Sequence, residues 1–192
     1  MGCWGYGIME SDGALDFELE FNDIAEISSE EKNPRMMRRA LEAHMEALFE
    51  RARNEPVFEN YTQFRAEAYQ VLAVMLMREG CTLSNSQHIE LLNGLRDCNE
   101  YAEARAFHQA ASAQGRAIEP KDLEAAGIEA EHNGYAGIIE RMVGRIAAVE
   151  QLYGLVQNYA ITGGLPVEVS SKGLFEVMAE RAANGTNLVN NS

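Results

Sequence analysis

Residues 68–77 read AYQVLAVMLM, and the fold follows from how that stretch is read. Its side chains are apolar nearly all round a helical projection, with Gln70 the one amide. A helix without a polar face belongs in a protein interior. The segment from about Tyr61 to Glu79 is therefore expected to be a central buried helix, stopped by Gly80.

The flanking sequence supplies helices to surround it. Upstream, Pro34 suits a helical first turn, and Met37, Leu41, Met45 and Leu48 form a stripe along an expected helix from Pro34 to Arg53. Downstream, Ser84 and Gln87 have the spacing of a capping box, opening a helix that ends near Asp97. The stretch EYAEARAFHQAASAQG gives a fifth helix closed by Gly115. Pro120 begins a short sixth, with Asn133-Gly134 as its terminator. The longest helix is expected over Tyr135–Ala160, where Ile138, Met142, Val149, Leu152 and Val156 keep one face apolar.

Residues 162–170 interrupt this pattern and admit at most a minor short strand. A last helix is expected from Ser171 to Ala183, and residues 184–192 read as a mobile polar tail. No linker divides the chain, so 1–192 is read as a single all-α domain, a compact bundle of about seven or eight helices.

The acidic segment 1–33 is less straightforward. Leu15, Phe17, Leu19 and Phe21 alternate with acids, which is the period of a strand, yet Ala14, Phe17, Phe21 and Ile24 also share a helical face. Asp and Glu are depleted in strands and suit a helical first turn. A helix from Ser11 or Asp12 to Ile27 is expected.

The opening residues M-G-x-W-G-x-G, followed by D-x-A-L-D, carry a resemblance. Gly2, Trp4, Gly5, Gly7, Asp12, Ala14, Leu15 and Asp16 resemble the start of the bacterial domain-of-unknown-function family 4259. The resemblance implies a cytoplasmic bacterial or phage setting, in conflict systems such as toxin immunity. Physically, Trp4 suits a core plug, with Gly5 and Gly7 letting the chain turn over it.

Charge narrows the partner. The formal net charge is -14, and only three of 16 basic residues are lysines (Lys32, Lys121, Lys172). That field repels nucleic acid and anionic membrane surfaces and attracts a basic protein. Asp12, Asp16, Glu20 and Asp23 fall at three- and four-residue steps, so a helix lines them on one face. Each like-charge pair costs roughly 0.2–0.5 kcal/mol in an isolated helix. Either Lys32, Arg35, Arg38 and Arg39 fold back over the stripe, or a basic partner covers it, including one whose nucleic-acid site is being mimicked. Nine carboxylates between Glu10 and Glu31 are about half the phosphate density of duplex DNA over a helix of that length.

No stretch approaches the roughly 20 apolar residues of a membrane span. No basic segment followed by an apolar run opens the sequence. Cys3, Cys81 and Cys98 lack paired spacing and read as reduced thiols, so a cytoplasmic location is expected. His44, His88, His108 and His132 are scattered, and no metal, phosphate-loop or nucleophile motif is present. No metal or cofactor is expected.

The first functional reading is an acidic protein-binding factor, an inhibitor or immunity type, using Asp12, Asp16, Glu20 and Asp23 on a basic surface of its target. The second is an enzyme or small-ligand or metal binder with an inter-helix pocket using His44, His88 or His132. The third is a structural homo-oligomer built through the long helix, where Gly137, Gly144 and Gly154 permit close approach.

Overall fold

The computed structural model describes residues 8–9, 11–28, 30–31, 33–55, 63–130, 134–159, 161 and 165–167. Among these lie eight helices and no strand: α1 (Asp12–Ile24), α2 (Pro34–Ala43), α3 (Met45–Arg53), α4 (Gln63–Arg78), α5 (Asn85–Gly94), α6 (Asn99–Ala113), α7 (Pro120–Ala125) and α8 (Gly134–Asn158). The expected helix over Ser171–Ala183, the tail at 184–192, and Trp4, Gly5 and Gly7 lie outside the described residues.

Helix α4 is the centre. Every residue from Ala66 to Met77 is buried, and α1, α3, α5 and α8 all pack against it. Gln70 tolerates this interior because both ends of its amide are engaged. Its Nε2 donates to the Leu95 carbonyl at 2.7 Å, and its Oε1 accepts from Arg145 Nη2 at 2.7 Å. A buried amide so satisfied fixes the placement of α5 and α8 on α4 rather than destabilising the core. The helix ends as expected: Gly80 takes φ 70°, and the Cys81 N–H turns back to the Leu76 carbonyl at 2.9 Å.

The outer elements follow their capping chemistry. Ser84 and Gln87 form the reciprocal box at the start of α5. Asn33 caps α2, with Pro34 in its first turn. Between α5 and α8, the buried His88 Nε2–H donates to the Val156 carbonyl at 2.6 Å. Helices α6 and α7 pack on α8.

Several boundaries differ from the sequence reading. Helix α7 ends at Ala125, with Gly127 at φ 75°, rather than at Asn133-Gly134, where Gly134 instead opens α8. Helix α5 ends at Gly94 rather than near Asp97. The single helix expected over Pro34–Arg53 is two, broken at His44, whose backbone sits at φ -108° and ψ 14°. The His44 ring Nδ1–H donates to the Ala40 carbonyl at 3.0 Å, alongside the backbone bond of 3.2 Å to the same oxygen. A side chain that shares its own helix's carbonyl bends the ladder at that point. Helix α1 stops at Ile24 rather than Ile27, because Glu26 adopts the left-handed φ of 56°. Leu165–Val167 form no strand; instead the Val167 N–H donates to the Met77 carbonyl at 2.9 Å.

Candidate functional site

Helix α1 begins on a cap that also locks it to the core. Ser11 Oγ accepts the Ala14 N–H at 3.0 Å and donates to Glu67 Oε1 of α4 at 2.5 Å. Gly13 rides over that carboxylate, where an added Cβ would lie 3.0 Å from Glu67 Oε2. From this start, Ala14, Phe17 and Phe21 point inward and are buried, with the two phenylalanine rings stacked at 6.2 Å between centroids. The apolar pattern that suggested both a strand and a helix thus resolves into two helical faces.

The outward face carries Asp12, Leu15, Asp16, Leu19, Asp23 and, just past the helix end, Glu26, all exposed. Leu19 is 63% accessible and Leu15 42%. Asp16 and Asp23 meet no basic side chain among the described residues. Glu20 belongs elsewhere. Arg51 of α3 donates to it through Nε and Nη2, both at 2.7 Å, while lying 5.6 Å from the Phe17 ring centroid. Glu18, on the opposite flank, accepts from Arg78 Nη2 at 2.9 Å.

Sequence proximity did not point to the arginines that hold Glu18 and Glu20. Arg38 is engaged by Glu42 and Thr82, each at 3.0 Å. Arg35 and Arg39 are exposed and form no ion pair among the described residues, and Lys32 lies outside them. The arginines that do reach the acidic helix, Arg51 and Arg78, come from α3 and α4 and are distant in sequence. Leu15 and Leu19 were legible as four residues apart and off the Phe17–Phe21 face.

A second feature lies on another side of the bundle. An open cleft of about 820 Å³ runs between α4 and α5, reaching the end of α3. Ser86, Ile89, Glu90, Asn93 and Gly94 line it from one face of α5, continued by Asp97. Across from them stand Tyr69 and Arg65 of α4, with Arg53 and Arg96 at the margins. Gly94 is required where it is, since a Cβ there would fall 2.3 Å from Tyr69 Cδ2.

The polar groups of the cleft are mostly engaged with one another. Glu90 Oε1 accepts from Tyr69 Oη at 2.8 Å and from Arg53 Nε at 2.7 Å. Burial, reinforced by the Glu90 carboxylate, pushes the Tyr69 phenol well above its ordinary value. Arg53 also holds Glu46 at 2.9 Å, and its two carboxylate partners, Glu90 foremost, push its guanidinium up. Arg96 donates to Glu150 and stacks on the Tyr153 ring. Arg65 has no such partner among the described residues.

Of the histidines of the pocket reading, His44 and His88 are not brought to this cleft. His44 and His88 each give a ring N–H to a backbone carbonyl on different elements, and His132 lies outside the described residues. No group of three or more His, Cys, Asp and Glu among the described residues is placed to hold a metal ion. No described helix is long and apolar enough to cross a membrane. No protein-family model, no curated protein and no solved structure matches the chain.

Proposed function

We propose that this protein is an acidic binding factor, of inhibitor or immunity type, that seats the outward face of α1 in a basic-rimmed groove of a target protein. The observation that carries the reading is the composition of that face. Asp12, Asp16 and Asp23 alternate along it with the exposed Leu15 and Leu19. An amphipathic helix docks by inserting its apolar side chains into a groove at three- and four-residue steps. Carboxylates around such anchors steer the encounter and exclude partners of like charge.

The rigidity of α1 supports the same use. Its inner face is buried, its first turn is tied to α4 through Ser11 and Glu67, and its last turns are held by Arg51. A helix fixed in advance loses little conformational entropy on binding. The net charge of -14 favours a basic protein over nucleic acid. A bacterial or phage setting, with toxin immunity or anti-defence as the biological role, rests on the resemblance of residues 1–16.

A pull-down from bacterial lysate with the tagged full chain, washed with stepwise salt, tests this. The expected result is a stoichiometric basic partner that salt releases and that Asp16→Lys/Asp23→Lys fails to retain. A partner held equally by that variant removes α1 from the interface.

A further inference from the structure

We propose that the cleft between α4 and α5 is a binding site for a small molecule carrying an oxyanion, a carboxylate or a phosphate, received by Arg65.

The case begins with the hydrogen-bonding state of the arginines around the cleft. Arg53 has two carboxylates, and Arg96 has a carboxylate and an aromatic face, although its Nε, like that of Arg65, is shielded from solvent without an acceptor among the described residues. Arg65 forms no ion pair or hydrogen bond among the described residues, and its Nε is shielded from solvent with no acceptor. This is unlike Arg35 and Arg39, which are also unpaired but exposed, so that water serves them. A guanidinium Nε–H shielded from water without an acceptor is unfavourable unless something else supplies one. In a chain with 30 carboxylates and 16 basic residues, internal acceptors were abundant. None is used here.

The surroundings suit a small anionic ligand. The neighbouring carboxylate Glu90 is occupied by Tyr69 and Arg53, which leaves it a poor competitor for Arg65. Asp97, exposed at one edge, is the remaining carboxylate of the lining, so arginines outnumber acids there. Ile89, 48% accessible, offers an apolar wall for the body of the ligand. A volume of about 820 Å³ lies within the roughly 300–1,000 Å³ usual for small-molecule sites.

The planar guanidinium fork matches a carboxylate or phosphate through two parallel hydrogen bonds. The acidic exterior does not forbid this. Charges farther than about 8 Å are largely screened at physiological salt, while the cleft arginines act at contact. The same exterior rejects polyanions, so the ligand is small rather than a nucleic-acid strand.

Titration of the isotope-labelled full chain with inorganic phosphate and, separately, acetate, at ionic strength held constant with sodium chloride, tests the site by backbone amide shifts. Saturable shifts are expected at Arg65, Tyr69 and Glu90–Asp97, with dissociation constants on the order of millimolar for such minimal probes. Whichever anion saturates at lower concentration identifies phosphate or carboxylate as the preferred group. Arg65→Gln is expected to weaken binding by about tenfold or more, and Arg39→Gln to leave it unchanged. Arg65→Lys, which keeps the charge and the stem but loses the fork, is expected to weaken it by a smaller factor. Absence of saturable shifts in the wild-type chain with both anions, or equal affinity in Arg65→Gln and wild type, overturns the proposal.

Discussion

Arg51 and Glu20 meet in a two-pronged ion pair, Nε to Oε1 and Nη2 to Oε2, each at 2.7 Å. The guanidinium also reaches Glu55 Oε2 at 2.5 Å and lies near the Phe17 ring. One residue of the four-acid stripe is therefore structural, tying α1 to α3, while Asp16 and Asp23 face outward. Glu20→Gln removes the charge but keeps the shape. With the Glu20 side chain 43% accessible, solvent screening limits the effect, and a loss of about 0.5–1 kcal/mol is expected in urea unfolding. Partner binding is expected to persist.

Gly94 and Tyr69 make a close contact that no other residue can reproduce. A Cβ at 94 would meet the Tyr69 ring at 2.3–2.7 Å, so Gly94→Ala must move the ring and break its bond to Glu90. Overpacking of this kind costs about 1–3 kcal/mol. Thermal unfolding is expected at a lower temperature, and the phenol of Tyr69 to lose its shielding in ultraviolet titration. An unchanged melting temperature would mean the ring yields freely.

Gly154 is the opposite case. It lies inside α8 with nothing within 4 Å of an added Cβ. Gly154→Ala is expected to stabilise the chain by about 0.5–1 kcal/mol through helix propensity alone. Chemical unfolding of the two forms side by side measures it, and a loss of stability would contradict the open space at that position.

Alkaline pH should weaken the fold through three buried acids. Burial pushes the Cys81 thiol up to about 12, with Glu42 adding to it. Burial likewise pushes Tyr101 up to about 12, reinforced by its bond to Glu150, and Tyr159 up to about 12, reinforced by Cys81. Each folded group holds its proton more tightly than the unfolded chain does. Stability is therefore full below about pH 8.5, the ordinary cysteine value, and falls as pH rises towards 12. Urea midpoints from pH 8 to 11 are expected to decline. The slope is expected to be shallower in Tyr159→Phe, which also loses the 2.7 Å bond from Tyr159 Oη to the Cys81 carbonyl. At neutral pH, Cys81, buried and protonated, is expected to alkylate far more slowly than the half-buried Cys98.

The helices were legible because their signals are local. The all-round apolar run at 68–77, the Ser84/Gln87 box and the glycines at 80 and 115 each act within a few residues, and each appears where the spacing put it. The break at His44 was hidden because it depends on a ring nitrogen turning back to Ala40. The candidate site was half legible. Periodicity placed the acids on one helix, yet which of them faces solvent depends on Arg51, thirty-one residues from Glu20. The cleft had no sequence signal, since Arg65 is distinguished only by the partner it lacks among the described residues.

The most direct test of the central claim uses the purified partner recovered by pull-down. Its dissociation constant would be measured at low and physiological salt for the wild-type chain, Asp16→Lys/Asp23→Lys and Leu15→Ser/Leu19→Ser. If the outer face of α1 is the interface, charge reversal weakens binding and flattens its salt dependence, while the leucine pair weakens binding with the salt dependence retained. Wild-type affinity and salt response in both variants would contradict it and place the partner on another face of the bundle.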